Sequence, residues 1–242
     1  MIESCGLTDP GCVRANNEDY FHVAPELGLC VLADGMGGAN AGERASQLAV
    51  QTVIEVVGAA GATPNRDTLL EAMEQANRAV LTVARSDRRL EGMGTTLVAA
   101  LDAGDEILIT SVGDSRAYLL EEESFLPVTQ DQSWVNEVGR VMGLDEISLK
   151  THPLRHVLTM AIGAGNKLVV NSYTCPWKVG SILLISSDGL HGVVDVPSIE
   201  AILRAPEEGS EPLRQKCQRL IQAARDAGAP DNVTAVLIRR RA

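Results

Sequence analysis

Four aspartates in this chain stand where an apolar run stops and the backbone must turn. Leu29-Cys30-Val31-Leu32-Ala33 ends in Asp34-Gly35, and Ile182-Leu183-Leu184-Ile185-Ser186-Ser187 ends in Asp188-Gly189. Asp114 lies in Val112-Gly113-Asp114-Ser115 between two apolar runs, and Asp231-Asn232 directly precedes the last one. Taken singly, each is an ordinary turn, because Asp bonds its own backbone and Gly accepts the φ angles that turns demand. Taken together, they put carboxylates at strand ends, where side chains from several strands can converge on one rim. Clustered carboxylates repel unless something neutralises them. A hard divalent cation does so, and an all-oxygen donor set suits Mg2+ or Mn2+, not zinc. The four histidines, His22, His152, His156 and His191, have no HExxH-like spacing.

A second polar group is Arg14-Ala15-Asn16-Asn17-Glu18-Asp19. It reads equally as a solvated polar loop. In a functional reading, the planar guanidinium of Arg14 would grip a phosphate, and Glu18 and Asp19 would orient cation-bound waters from behind. His156 and His191 are expected in structural or surface roles, since nothing in the spacing brings either ring to the aspartates.

The elements that must position these residues follow from periodicity. Ala45, Leu48, Ala49, Val53 and Val56 recur at helical spacing, as do Leu69, Met73, Ala76, Val80 and Ala84. Leu213, Cys217, Leu220, Ile221 and Ala224 predict a third helix, with Ser210 as its cap and Gly228 and Pro230 ending it. Short apolar or β-branched runs predict strands at 28–33, 95–101, 106–112, 116–120, 181–186 and 233–238. Regular βα alternation is missing, so the class is α+β, with helices packed outside antiparallel sheets. The pattern weakens from Trp134 to Pro153, which reads as an excursion from the core, a flap.

Composition narrows the function. The 242 residues carry a formal charge of −11, which argues against a nucleic-acid phosphate binder, and 3% aromatic content leaves few stacking platforms. No apolar run approaches the ~20 residues that span a bilayer, and no secretory signal opens the chain. The five cysteines are scattered and never form a CxxC pair, so neither a disulfide framework nor a zinc site is expected, and a reducing cytoplasm is the natural compartment.

The order of the motifs is more specific than any one of them. Arg14-x-x-Asn17-Glu18-Asp19, Asp34-Gly35-Met36-Gly37-Gly38, Gly94-Thr95-Thr96, Val112-Gly113-Asp114-Ser115-Arg116, Ser187-Asp188-Gly189-Leu190 and Asp231-Asn232 occur in sequence. This series resembles the metal-dependent serine/threonine protein phosphatases of the PPM family (the 2C type), in their compact bacterial form, from about Gly6 to Ile238. The resemblance implies a four-layer α-β-β-α sandwich over 1–242 as a single catalytic domain, with the flap at about 135–153. It implies two Mn2+ or Mg2+ ions. Asp34 would bridge them, the Gly35 carbonyl would bind one, and Asp188 and Asp231 would bind the other. A third, weaker metal would sit at Asp114, with the Asp188 position. Arg14 would hold the phosphate, with Glu18, Asp19 and Asn232 behind the ligands. A metal-bridging hydroxide would then attack phosphorus directly.

The implied substrates are proteins phosphorylated on serine or threonine, opposite a Hanks-type kinase, with the chain a monomer. A dedicated phosphatase of one small regulatory protein, and a non-catalytic binding module on the same fold, are the alternatives. Three departures from the family pattern stand out. Met36 replaces a histidine frequent in eukaryotic members, Gln132 stands in Asp131-Gln132-Ser133 for the usual histidine, and Met160 stands where arginine is usual. Gly94, Thr95 and Thr96 are expected to pack near the site and not to take part in it.

Overall fold

Strands buried on both faces and helices buried on one account for the architecture. The computed structural model describes residues 2–37, 41–61, 64–206 and 212–241. In chain order these form β1 (Ile2–Asp9), β2 (Asp19–Ala24), β3 (Leu29–Met36), α1 (Ala41–Ala59) and α2 (Arg66–Ser86). Next come β4 (Gly94–Thr95), β5 (Leu97–Asp102), β6 (Glu106–Val112), β7 (Arg116–Leu120) and β8 (Phe125–Pro127). The remainder is α3 (Glu146–Thr151), β9 (Asn171–Pro176), β10 (Ile182–Ser186), α4 (Asp188–His191), α5 (Val196–Arg204), α6 (Pro212–Asp226) and β11 (Val233–Arg240). The expected cap Ser210 and Gly38 of the second motif lie outside the described residues.

Two antiparallel sheets result. One has the order β1-β11-β10-β7-β8, and the other runs β2-β3-β5-β6-β9, with β4 pairing β3 beyond that path. Alternation along each central strand assigns its two faces. Leu29, Val31 and Ala33 of β3 pack toward α1 and α2, while Cys30 and Leu32 face the other sheet. In β10, Ile182 and Leu184 pack toward α5 and α6, while Leu183 and Ile185 point between the sheets. Three apolar layers therefore separate four structural layers, and the expected α-β-β-α sandwich is what forms. Leu32 is fully buried between the sheets, and truncating such a side chain to alanine typically costs ~2–5 kcal/mol.

The helices start and stop for local reasons. Asn65 caps α2 by accepting from the Thr68 amide at 3.1 Å, and the Thr68 hydroxyl accepts from the Asn65 amide at 3.2 Å. After α6, Gly228 takes a φ of +98°, and its amide closes the helix end on the Arg225 carbonyl at 2.9 Å. Among the described residues no helix is long and apolar enough to cross a membrane.

Between Ser133 and Leu158 the chain leaves both sheets and returns, pinched at its base by a β-bridge between those two residues. The Trp134 amide donates to the Val157 carbonyl at 2.8 Å, and the Trp134 ring stacks on His152 at 4.0 Å. This excursion carries a single wide helical turn at Val135–Gly139 and then α3, whose start is capped by the Asp145 carboxylate. It presents Val141, Met142 and Ile147 to solvent.

Candidate metal and phosphate site

The rim expected from the sequence lies at one edge of the sandwich, where both sheets end. Asp34 sits near the end of β3 directly opposite Asp19 of β2. Like charges facing each other across a ladder destabilise it, so this pair is placed against its own electrostatics. The Asp34 backbone is held by the segment before β5. Its amide donates to Thr96 Oγ1 at 2.9 Å, and its carbonyl accepts from the Thr96 amide and from Thr95 Oγ1, each at 2.9 Å. Thr96 Oγ1 also bonds Ser115 Oγ at 2.8 Å, which links the Asp34 strand to the turn carrying Asp114. These threonines thus do more than pack: they fix the residue that the sequence singles out. Their signal was weak, because a threonine in a β-branched run reads as an ordinary strand residue.

Close backbone approach explains the glycines after the two strand-end aspartates. A Cβ on Gly35 would collide with the Gly42 and Glu18 carbonyl oxygens, and one on Gly189 would collide with the Asn232 carbonyl. The Glu18 carbonyl accepts from the Gly35 amide at 3.1 Å, and the Glu18 amide donates to Asn232 Oδ1 at 2.8 Å. Asn232 Nδ2 reaches the Pro10 and Asn16 carbonyls at 3.1 and 2.8 Å. Asn232 is therefore a buried staple joining the Arg14–Asp19 segment to the start of β11.

Asp19 is the most enclosed carboxylate at the rim, at 6% exposure. Its Oδ2 accepts from Ser187 Oγ at 2.7 Å and from Thr234 Oγ1 at 2.5 Å, and Thr234 Oγ1 lies 2.7 Å from Thr8 Oγ1. Its Oδ1 is buried with no hydrogen-bond partner. An unpaired buried carboxylate oxygen is costly, and a cation or the water around one is the kind of group that satisfies it.

Electrostatics follow from this crowding. Loss of solvation first, and then the charges of Asp19, Asp188, Asp114 and Asp231, push the Asp34 carboxyl well above the usual range. Burial and Asp188 push Asp114 up to about 7. Burial likewise lifts Asp19 to about 7, against the lowering effect of the Thr234 and Ser187 hydroxyls. Asp188 is raised by burial and by Asp231, while His156 and a hydrogen bond with Asp34 act the other way. Glu18 is raised by burial, opposed by Arg14. Carboxylates that resist ionisation together are those a cation would relieve, so this oxygen-donor set fits Mn2+ or Mg2+.

Arg14 and Asp231 depart from the simple expectation. The Arg14 guanidinium donates to Asp231 Oδ2 at 2.7 Å, so the residue expected to grip phosphate grips a carboxylate of the rim. Among the described residues no three His, Cys, Asp or Glu side chains converge closely enough to share one ion. Asp34 and Asp188 meet, but Asp231 turns toward Arg14. For a cation to be held by all three carboxylates, Asp231 would have to move toward Asp34 and Asp188. Arg14 is half exposed, so little anchors it against such a move.

His191 takes the structural role expected of it: Nδ1 bonds Ser186 Oγ at 2.9 Å, and burial and the Arg116 charge hold its pKa well below the usual value. The Arg116 guanidinium is engaged by both Asp131 oxygens, at 2.9 and 2.7 Å. Beside that pair lies a cavity of about 580 Å³, lined in part by Tyr118, Asn136 and Glu137, which does not include the four rim aspartates.

Two sheets between helices, with oxygen donors from several strand ends gathered at one edge and an arginine among them, define an α-β-β-α sandwich with a cation-binding type of rim. The family model described as protein phosphatase 2C matches residues 13–237. The serine/threonine phosphatase stp of Listeria innocua is 34% identical over 240 residues, covering 96% of this chain and 94% of that protein. The serine/threonine protein phosphatase PstP of Mycobacterium tuberculosis is also 34% identical over 240 residues, which is 98% of this chain and 45% of that longer protein. A crystal structure of the PstP catalytic domain in complex with two manganese ions superposes with a TM-score of 0.85 at 31% identity, covering 98% of this chain and 97% of that one. The chain belongs to the protein phosphatase 2C family.

Proposed function

We propose that this chain is a serine/threonine protein phosphatase whose rim holds two Mn2+ or Mg2+ ions. The carrying observation is the meeting of Asp34 and Asp188 at the edge where both sheets end, each pushed up by burial and by neighbouring carboxylates, Asp19 foremost for Asp34 and Asp231 for Asp188. The two manganese ions of the PstP catalytic domain support the same reading. Asp34, the Gly35 carbonyl, Asp188 and Asp231 are the ligands, and Asp114 carries a third, weaker ion with Asp188. The bound cations supply Lewis acidity and lower the pKa of a coordinated water.

The protein's own residues do the rest. Asp19 and Glu18 orient water from behind the rim, and Asn232 keeps their segment against β11. Arg14, once released from Asp231, is free to form paired hydrogen bonds with two oxygens of a phosphate. The whole chain acts as one catalytic domain on phosphorylated proteins, opposite a protein kinase, and as a monomer. Five scattered cysteines with no CxxC pair fit a reducing, cytoplasmic setting.

Hydrolysis of a phosphothreonine peptide by the purified protein tests this reading. Turnover is expected with Mn2+ and should disappear with EDTA. Inactivity across Mn2+ and Mg2+ would instead favour a non-catalytic binding module.

A further inference from the structure

We propose that Gln132, at the base of the flap, is a positioning residue whose side-chain amide sets where the Asp114 carboxylate stands by tying its turn to the segment that enters β9. The inference rests on the metal-site reading above and adds to it a residue that touches neither a ligand oxygen nor the substrate.

Gln132 is 3% exposed, and both ends of its amide are committed. Oε1 accepts from the Gly113 amide at 3.0 Å, while the Gln132 backbone amide donates to the Gly113 carbonyl at 2.9 Å. Residue 113 is thus clamped from both sides of its Cα, one position before Asp114. The opposite wall of the turn is Thr96: a Cβ on Gly113, whose φ is +98°, would lie 2.8 Å from Thr96 Cγ2. Thr96 is also the hydroxyl that receives the Asp34 amide. The Asp114 turn is therefore held between a group fixed to Asp34 and a group fixed to Gln132.

The other end of the amide reaches away from the rim. Nε2 donates to the Val169 carbonyl at 2.9 Å, and the Gln132 carbonyl accepts from the Thr159 amide at 3.0 Å. Thr159 follows directly on Leu158, the residue that pairs with Ser133 where the excursion closes. Its neighbour Asp131 holds Arg116 at the start of β7, so the turn's far side is braced as well. The buried, uncharged side chain thereby joins the β6–β7 turn to the approach to β9, while the main chain of the same residue holds the return of the flap. A neutral amide can serve as donor and acceptor at once, which neither an apolar nor a fully ionised side chain can do.

The test is direct Mn2+ binding to the full-length protein without substrate, by calorimetry and by the electron paramagnetic resonance of free Mn2+. Wild type should bind two ions more tightly and one more weakly. Gln132→Met, which fills the space but satisfies neither Gly113 nor Val169, should weaken the weakest ion about tenfold, a typical loss when a residue behind a ligand is removed. The two tighter ions should stay within about twofold of wild type, well short of that loss. Gln132→Glu, which retains the acceptor for Gly113 and, when protonated, the donor for Val169, should recover most of the weak binding.

A residue that merely supported the fold would lower thermal stability without singling out one ion. Unchanged weak binding in Gln132→Met, or equal weakening of all three ions, would overturn the inference. If that variant does not fold, Gln132→Asn decides, because its shorter amide cannot span Gly113 and Val169 together. The same selective loss is expected there, and its absence refutes the proposal. Wild-type protein that binds only two ions removes the Asp114 ion and this inference with it, leaving the two-ion reading intact. Protein that binds none removes both.

Discussion

The carboxylate rim and the flap beside it are built on opposite plans. The rim is assembled from bonds between residues far apart in the chain: Asp19 with Thr234, 215 positions away, Asp19 with Ser187, 168 away, and Arg14 with Asp231, 217 away. Most of its hydroxyls are buried; Asp19 and Asp34 ride at strand ends, Asp188 opens α4, and Asp114 and Asp231 sit in the turns beside β7 and β11. The flap is held chiefly by near neighbours. Arg140 bonds Asn136 and Glu146, Asp145 bonds Ile147 and Ser148, and Val141, Met142 and Ile147 face solvent. The difference separates two jobs. Placing mutually repelling carboxylates within reach of one another takes the whole fold, whereas a surface next to them needs only a secure base.

The contrast breaks most visibly at the rim. Asp34→Ala removes the residue between the two proposed ions, so turnover should fall by on the order of 10³-fold or more, with loss of Mn2+ binding in calorimetry. Two tightly held ions in that variant would remove the bridging role. Behind the rim, Thr234→Val keeps the shape of the side chain but removes one of the two hydroxyls that donate to Asp19 Oδ2. A fall of roughly 10–100-fold in Mn2+ affinity or kcat is expected, and wild-type values in both would show that Asp19 does not act through that hydroxyl.

The pH dependence of stability gives a smaller effect with a definite sign. Asp19, Asp34, Asp114 and Asp188 all have folded-state pKa values raised above the unfolded value near 4. Such a group favours the folded state while protonated, and loses that advantage as pH climbs through its folded pKa. In EDTA the Tm should therefore fall as pH rises from about 4 through about 7, the position of Asp19 and Asp114. Saturating Mn2+ should remove or reverse the slope, because ionised carboxylates then gain a partner. A Tm that is flat in EDTA across this window would mean the rim is better solvated than its packing indicates. The smallest effect belongs to the flap: Ile147→Ser, at 77% exposure, should change stability by no more than about 0.5 kcal/mol in urea unfolding. A larger loss would show that the flap packs against something it does not touch here.

How legible each part was in the sequence depended on the same division. Strands buried on both faces, such as β3 and β10, are unbroken apolar runs, and they were readable as strands along with the aspartates that end them. β1 was not, because Ser4, Gly6 and Thr8 interrupt it and every residue in it is at best half-buried. β9, an edge strand with the sequence Asn-Ser-Tyr-Thr-Cys-Pro, lacks an alternating pattern for the same reason. α3, α4 and α5 are too short for helical periodicity to emerge. At the site, charge was visible and support was not. Asp34, Asp114, Asp188 and Asp231 announced themselves by type and position, while Thr96, Ser187 and Thr234 look like any strand hydroxyl until their partners are brought over from the other end of the chain. The pairing of Arg14 with Asp231 was equally hidden, since no spacing rule spans that distance.

β11 sits between β1 and β10, and it carries Asp231 and Thr234 to the rim from close to the last described residues. On the ribosome the other described strands emerge before it, and one sheet remains split, with a strand-wide gap, until Val233–Arg240 clears the exit tunnel. Nascent chains therefore complete the carboxylate rim only once β11 has joined its neighbours, and contacts of such long sequence separation slow folding. A fragment that stops before Asp231 has a split sheet and lacks both that carboxylate and the Thr234 hydroxyl that donates to Asp19.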